Sequence, residues 1–598
     1  MEFNKIQIKD CINTIIGGGR IWSLLIVLLM IANLAYLHHE VYFTRNHFPG
    51  IKPYYTPFVF ICFDVLVILI VCSALSFRKR TLSYALAYLI VFIITIFNIG
   101  YSRFFYRYVS LEVFQEFGNL KGTWWLQYVP EGFAHSDWIL LFSAVIAAYG
   151  VYKLKTAQFK KKVSILYLCV ALFILLFFHA FIGRKYLCNI AAPTYSSLYA
   201  WYDKNFGEDF QGSFLANPDA LIVKNGIIRT QVLCNILSNR KNGGRLSLSQ
   251  EEIREIDKYL EEKNEKEGEL IDSCIIEKGK PDIIFILVES LMSCAIQENV
   301  KGREVMPNLN KLLRNEHCYS NLSVMSDKGS GESSDAQISY LTGIKPLKQA
   351  ISVSYMIYNT VIALPQLLKN KGYNTYITVP TDPGFWHQET VNKKYGLTNM
   401  TALGAWTNDS QLFDNVIANT PKLKSPYFSL ILTISMHGPY GEINKRQKNF
   451  PFVLPRSYSK EYTDYLKRCY YTDLQIGRYI SYLRETHKYD NSIIVIVSDH
   501  EVRENSLAME SLKDRKDLPF ILINTKADST NVMNRKMSQV DVYSTLLDLF
   551  GLETKWRGIG YSIFRQGERS SDDSASEQIS QKIILGNYFR YSEIFEQP

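Results

Sequence analysis

At 598 residues the chain is too long for one ordinary domain, so at least two units are expected. A net charge of +9 raises nucleic acid as a partner, but the basic residues cluster between apolar runs, as in Arg78-Lys79-Arg80 and Lys160-Lys161-Lys162. That is the pattern of membrane topology, no binding motif accompanies it, and no nucleic-acid partner is expected.

Five segments in the first 185 residues are apolar enough to cross a bilayer, which takes roughly 20 helical residues: Ile21–Leu37, Pro57–Phe77, Leu82–Tyr101, Trp138–Leu154 and Ser164–Gly183. The first is not read as a cleavable signal, because His38, His39 and Glu40 follow it without a small-residue cleavage pattern. Lys5, Lys9 and Arg20 precede the first span, Arg78 to Arg80 fill the second turn, and Lys153, Lys155 and Lys160 to Lys162 lie between the fourth and fifth. Placing these inside puts the N-terminus in the cytoplasm and everything after Arg184 outside. The 102–136 loop, with Trp124, Trp125 and Tyr128, suits either the lipid interface or an ordinary packed outer loop.

Residues 185–280 read as a juxtamembrane linker with helices, in which Ser249 and Glu252 form a capping box that opens a charged, solvated helix. From Pro281 the pattern becomes α/β. The β-branched run 282–288 suits a strand buried on both faces, and similar runs recur at 427–433, 492–497 and 520–523 with helical stretches between them. The alternation predicts a mainly parallel central sheet. Residues 281–566 are read as this α/β domain, and 567–598 as a C-terminal tail.

Open α/β sheets bind ligands beyond the carboxyl ends of their strands. The first run ends in Glu289-Ser290, the second is followed by Ser435-Met436-His437-Gly438-Pro439, and the third ends in Ser498-Asp499-His500. Such acidic and imidazole groups suit a divalent metal. Between the first two runs lies Gly329-Ser330-Gly331-Glu332-Ser333-Ser334-Asp335. Its glycines permit close backbone approach, and a serine at a helix start can attack phosphorus, or Ser333 or Ser334 can simply cap the helix. Of the ten cysteines, six fall in the outer part, which is compatible with disulfides or with free thiols.

From Pro281 to about Phe564 the chain resembles the lipoteichoic acid synthase-like phosphoglycerol transferases of the alkaline phosphatase and sulfatase superfamily, and the five preceding helices match that architecture. The resemblance implies that Glu289, Asp499 and His500 ligate the metal together with the nucleophile, which the Gly331-Glu332-Ser333-Ser334-Asp335 motif places at Ser333. It implies that His437 contacts the substrate phosphate, and that Asp382, Trp386 and Gln388 bind the head group. Gln539-Val540-Asp541-Val542 and Gly560-Tyr561-Ser562 resemble closing segments of the family. There are two departures. Serine stands where family members usually have threonine, and Gln388 replaces an arginine of the head-group site. The second leaves the head group less well specified.

The implied activity is transfer of phosphoglycerol from a phospholipid to a glycan or glycolipid acceptor through a covalent Ser333 intermediate. Manganese is the expected metal, with zinc or magnesium also fitting. The implied location is the bacterial cell (inner) membrane, with the catalytic domain extracytoplasmic. The alternative is a phosphoethanolamine transferase, which His437-Gly438-Pro439 also fits. A sulfatase is disfavoured because no cysteine lies in a Cys/Ser-x-Pro-x-Arg context, and a non-catalytic membrane sensor is disfavoured because all four metal positions are filled.

Overall fold

The computed structural model describes residues 20–46, 58–76, 80–105, 108–109, 132–155, 222, 226–228, 230–231, 248–271, 279–314, 317–327, 329, 331–348, 350–404, 407–438, 450–451, 453–502, 516–525, 527, 532, 536–567 and 573–591. The chain divides into two compact units, one of residues 1–111 with 126–244 and one of residues 112–125 with 245–598.

In the first unit, helices Arg20–Asn46, Phe58–Leu75, Arg80–Phe105 and Trp138–Lys155 coincide with four of the expected spans. Ile21–Phe43, Thr81–Arg103 and His135–Leu154 are long and apolar enough to cross a membrane, and Phe60–Ser73 is a shorter apolar helix. The expected span at 164–183 and most of the 102–136 loop lie outside the described residues. Ile26, Met30, Leu34, Leu37 and Val41 recur at helical spacing and are buried in the core of this unit. Leu24, Leu28, Phe142 and Val145 are more than half exposed, as lipid-facing side chains would be. Charge inside the unit is paired: Arg103 donates to Glu40 at 2.7 Å and to Asp137 at 2.5 Å.

The second unit is built on an eight-stranded sheet. Its strands are β1 Asp282–Val288, β4 Cys318–Met325, β5 Asn374–Val379, β6 Asn399–Ala402, β7 Tyr427–Leu432, β8 Ser492–Ser498, β9 Leu518–Ile523 and β10 Met537–Ser538, while β2 Asn299–Val300 and β3 Arg303–Glu304 make a separate hairpin. The order is β10-β4-β9-β8-β1-β7-β5-β6. Pairings β6–β5–β7–β1–β8 are all parallel, and only β9 runs against its neighbours β8 and β4. A mainly parallel sheet is therefore what forms. Every residue of β1, β8 and β9 is buried, which explains their unbroken apolar sequences.

Two expectations give way at the margins of this unit. Helix Gln250–Glu267 has the anticipated capping box, with Ser249 Oγ accepting from Glu252 N–H at 3.2 Å and Glu252 Oε2 accepting from Ser249 N–H at 2.9 Å. It is not a solvated spacer, however. Ile253, Ile256, Leu260, Lys263 and Glu267 form a buried stripe. Glu267 accepts from Lys263 at 3.2 Å, from Arg557 Nε at 2.9 Å and from Ser562 N–H at 2.9 Å, while Arg557 and Arg565 both grip Asp548. Burial alone would raise the Glu267 carboxyl, but Lys263 and Arg557 outweigh it and hold the group below the ordinary glutamate value. The supposed tail likewise holds a helix, Asp573–Gly586, with Ile583, Ile584, Tyr588 and Phe589 buried and the Trp556 and Phe589 rings edge to face at 4.9 Å.

Candidate active site

Sheet register brings the first residues together. Val288 of β1 is aligned with Ser498 of β8, so Glu289 and Asp499 emerge side by side. Backbone donors then lock them. Asp499 Oδ1 accepts from the N–H groups of Ser290 and His500, each at 2.7 Å, and Thr433 Oγ1, just beyond β7, accepts from Glu289 N–H at 3.0 Å. The Nδ1 of His500 is engaged by the Glu501 carbonyl at 2.9 Å, which orients the ring and directs Nε2 to the cluster. Gln539 braces the same strand end, donating to the Asp499 carbonyl at 2.6 Å. Asp541 ties the closing segments together by accepting from Ser538 N–H and Tyr561 N–H, both at 2.7 Å.

The Gly-Ser loop folds back onto its own helix. Asp335 Oδ2 accepts from Gly329 N–H at 2.9 Å and from Gly331 N–H at 2.8 Å. A Cβ on Gly329 would lie 1.9 Å from the Leu347 carbonyl oxygen, and one on Gly331 2.4 Å from Asp335 Oδ1, so both positions need glycine. Burial pushes the Asp335 carboxyl up to about 7 against the pull of those two N–H groups. Helix Ser333–Thr342 thus begins at Ser333, preceded by Glu332 at φ 51°. Neither serine caps the helix by its side chain: Ser334 Oγ instead donates to the Gly331 carbonyl at 2.6 Å, which leaves Ser333 turned toward the cluster.

The Ser333 hydroxyl lies 3.3 Å from Glu289 Oε2 and 3.5 Å from His500 Nε2. His500 Nε2 is in turn 3.5 Å from Asp499 Oδ2, 3.7 Å from Glu289 Oε1 and 3.5 Å from Glu332 Oε2. Ligand atoms around a zinc-sized ion at about 2.1 Å stand about 3.4 Å apart in a tetrahedral site. Glu289, Asp499 and His500 are almost wholly buried and offer donor atoms within 4.8 Å of one another. Buried carboxylates gathered this closely need a cation to offset their charge, so the donor set fits a divalent metal. Glu332 was not singled out from the sequence as part of this cluster; only the left-handed residue before Ser333 brings its carboxylate to His500.

The opposite wall is built differently. Asp382 Oδ1 accepts from Gly384 N–H at 2.9 Å, making a tight turn. Trp386 and His387 follow at φ 49° and 51°. Phe385, Trp386 and Gln388 line one cavity together with Glu289, Ser333, Asp499 and Gln337. Asp382 and His437 do not line it. His437, half-buried, places Nδ1 2.5 Å from the Gly438 carbonyl, while its own carbonyl accepts from Arg468. Asp409 shapes the turn before it, accepting from Ile434 N–H at 2.9 Å, Ser435 N–H at 3.0 Å and Thr472 Oγ1 at 2.7 Å; burial raises its carboxyl against those bonds. The only sequence signal for Asp409 is its place just after Asn408, which caps helix Asp409–Asn419.

Residues 281–552 match the sulfatase family. Lipoteichoic acid synthase of Staphylococcus aureus (strain NCTC 8325 / PS 47) is 28% identical over 315 residues, covering 48% of this chain and 48% of that protein. The chain thus spans about half the length of the curated relatives it matches. Among solved structures, the lipoteichoic acid synthase LtaP from Listeria monocytogenes aligns with a TM-score of 0.47 and 17% identity, over 55% of this chain and 97% of that one. The Streptococcus pyogenes phosphoglycerol transferase GacH in complex with sn-glycerol-1-phosphate aligns at 0.39 and 17%, over 58% and 95%. Residues 281–552 are a sulfatase-family domain, and over that stretch the chain is lipoteichoic acid synthase-like.

Proposed function

We propose that this sulfatase-family chain is a membrane-anchored phosphotransferase that moves a phosphoglycerol head group from a phospholipid to a glycan or glycolipid acceptor. The observation that carries the reading is the Ser333 hydroxyl, at the start of its helix, 3.3 Å from Glu289 and 3.5 Å from His500 beyond the carboxyl ends of parallel strands. In the first half-reaction Ser333 Oγ bonds to phosphorus, the bond from phosphorus to the diacylglycerol oxygen breaks, and the serine proton ends on the departing diacylglycerol. In the second half-reaction an acceptor hydroxyl displaces Ser333 and returns its proton to it. The N-terminus of helix Ser333–Thr342 favours the anionic phosphoryl group.

A divalent metal, manganese in this reading, would be held by Glu289, Ser333, Asp499 and His500, and it supplies charge neutralisation and a lowered hydroxyl pKa. Trp386 and Gln388, which line the cavity, are assigned to the head group; His437 at the phosphate oxygens and Asp382 at the head group rest on the resemblance alone, since neither lines it. A cytoplasmic N-terminus and an extracytoplasmic catalytic unit, set beside lipid in the outer leaflet of a bacterial cell membrane, complete the reading. Intact mass spectrometry of the full chain in detergent with manganese and phosphatidylglycerol tests it. A glycerophosphate adduct on Ser333 is the expected result. No adduct from a folded, metal-binding chain would sink the reading.

A phosphoethanolamine transferase is the second reading, and one observation favours it. No lysine or arginine is among the described residues lining the cavity, where Gln388 sits. An adduct from phosphatidylethanolamine, absent with phosphatidylglycerol, would promote it.

A further inference from the structure

Gln337 is a polar residue of the cleft with no assigned task. It lies one helical turn beyond Ser333 on helix Ser333–Thr342, four residues on and therefore on the same face. Its side chain lines the cavity that Ser333, Glu289 and Trp386 also line. The residue is 2% exposed, and both Nε2 and Oε1 are buried without a hydrogen-bond partner among the described residues. A buried amide with both ends unsatisfied is costly, and native structures keep such groups where something else completes them. Gln388, across the cavity, differs in this respect: its Oε1 accepts from Asn392 Nδ2 at 2.7 Å.

We propose that Gln337 is a specificity residue that reads hydroxyl groups on the head group transferred to Ser333. The inference rests on the transferase reading above and deepens it. The carboxamide offers two donors at Nε2 and an acceptor at Oε1. A hydroxyl both donates and accepts, so a vicinal diol satisfies Oε1 with one hydroxyl and Nε2 with the other. A primary ammonium only donates and leaves Nε2 unpaired, and a quaternary ammonium satisfies neither atom. A site with a buried polar group waiting for a partner rejects the analogue that lacks it far more strongly than an apolar pocket rejects a size variant. Water completes the amide between turnovers, and the hydroxyls displace it.

The test uses the full chain in mixed detergent and lipid micelles with manganese, reading the rate of Ser333 adduct formation by intact mass spectrometry. Three esters are compared: phosphatidylglycerol, phosphatidylethanolamine and bis(p-nitrophenyl) phosphate, which carries no hydroxyl-bearing group. Wild type is expected to favour phosphatidylglycerol over phosphatidylethanolamine by at least about 10-fold. Gln337→Leu and Gln337→Met should each slow the phosphatidylglycerol reaction by about 30-fold or more and erase that preference, while the nitrophenyl ester, which leaves the amide unpaired in wild type, is not slowed. Two variants of different shape guard against one failing to fold, and metal content checks the site in each. The inference is overturned if either folded variant reacts with phosphatidylglycerol at the wild-type rate, or if all three esters slow in equal proportion. A wild type that reacts with none of the three esters overturns the transferase reading and this inference with it. A wild type that reacts, with indifference to Gln337, overturns this inference alone.

Discussion

The two walls of the cleft are held by different physics. On one side Glu289, Asp499 and His500 extend from the ends of wholly buried parallel strands; backbone N–H groups of Ser290 and His500 fix the Asp499 carboxylate, and the Glu289 N–H is held by the Thr433 hydroxyl. On the other, Phe385 and Trp386 ride on a turn with two left-handed residues after β5, and Gln388 opens the helix Gln388–Lys394 that follows. The first wall cannot shift without moving the sheet. The second can change its side chains without touching those strand ends, because they stand on the segment after β5 and not on the strands that carry the cluster. In the proposed reading, reaction chemistry at the strand ends and head-group recognition after β5 let one scaffold keep its reaction while its donor changes.

That division is open to attack by mutation. The largest effect is expected at the nucleophile: Ser333→Ala should lower turnover by at least about 1,000-fold and abolish the adduct, while Glu289, Asp499 and His500 still retain the metal. Residual turnover through another residue would break the assignment of the rigid wall. Next comes Asp499→Asn, which should weaken manganese binding by about 100-fold in calorimetric titration, with activity restored at high metal concentration. On the recognition wall, Trp386→Ala should lower kcat/KM for the lipid donor by about 10-fold to 30-fold and leave metal affinity unchanged. A matched loss of metal from the Trp386 variant would show that the walls are coupled.

The smallest effect on the cleft should come from the frame. Glu267→Gln leaves both walls in place but lowers stability by about 3 kcal/mol, because the paired Lys263 and Arg557 lose a buried partner. The sign with pH follows from its depressed carboxyl. The stability Glu267 contributes is present above its unfolded value of 4.5 and is lost as pH falls toward the lower folded value. Thermal melts from pH 7 down to pH 3 should therefore converge for wild type and variant at the acid end.

The rigid wall was legible because its signals are local: an apolar run ending in a charged residue, and glycines spaced around a hydroxyl. Glu289, Ser333, Asp499 and His500 meet where the strand ends and the helix start carry them. Other features depend on partners far along the chain. Helix Gln250–Glu267 has the composition of a solvated helix, since two of its inward residues are Lys263 and Glu267, and the Arg557 that joins them lies 290 positions from Glu267. β4 escaped notice because its exposure pattern is mixed and its antiparallel partner β9 comes some 200 residues later in the chain. In the sequence Gln337 is one polar residue among several of its helix, and only its burial beside Ser333 marks it.

The Glu267 network also bears on where this protein can be cut. A protease acting between the helix and β1 would separate Lys263 and Glu267 covalently from the Arg557 they help neutralise. A fragment beginning at Pro281 would carry Arg557 without that carboxylate and bare the groove that Ile253, Ile256 and Leu260 fill. A separately produced catalytic unit should therefore begin ahead of Ser249, and versions that start there should stay folded where shorter ones aggregate.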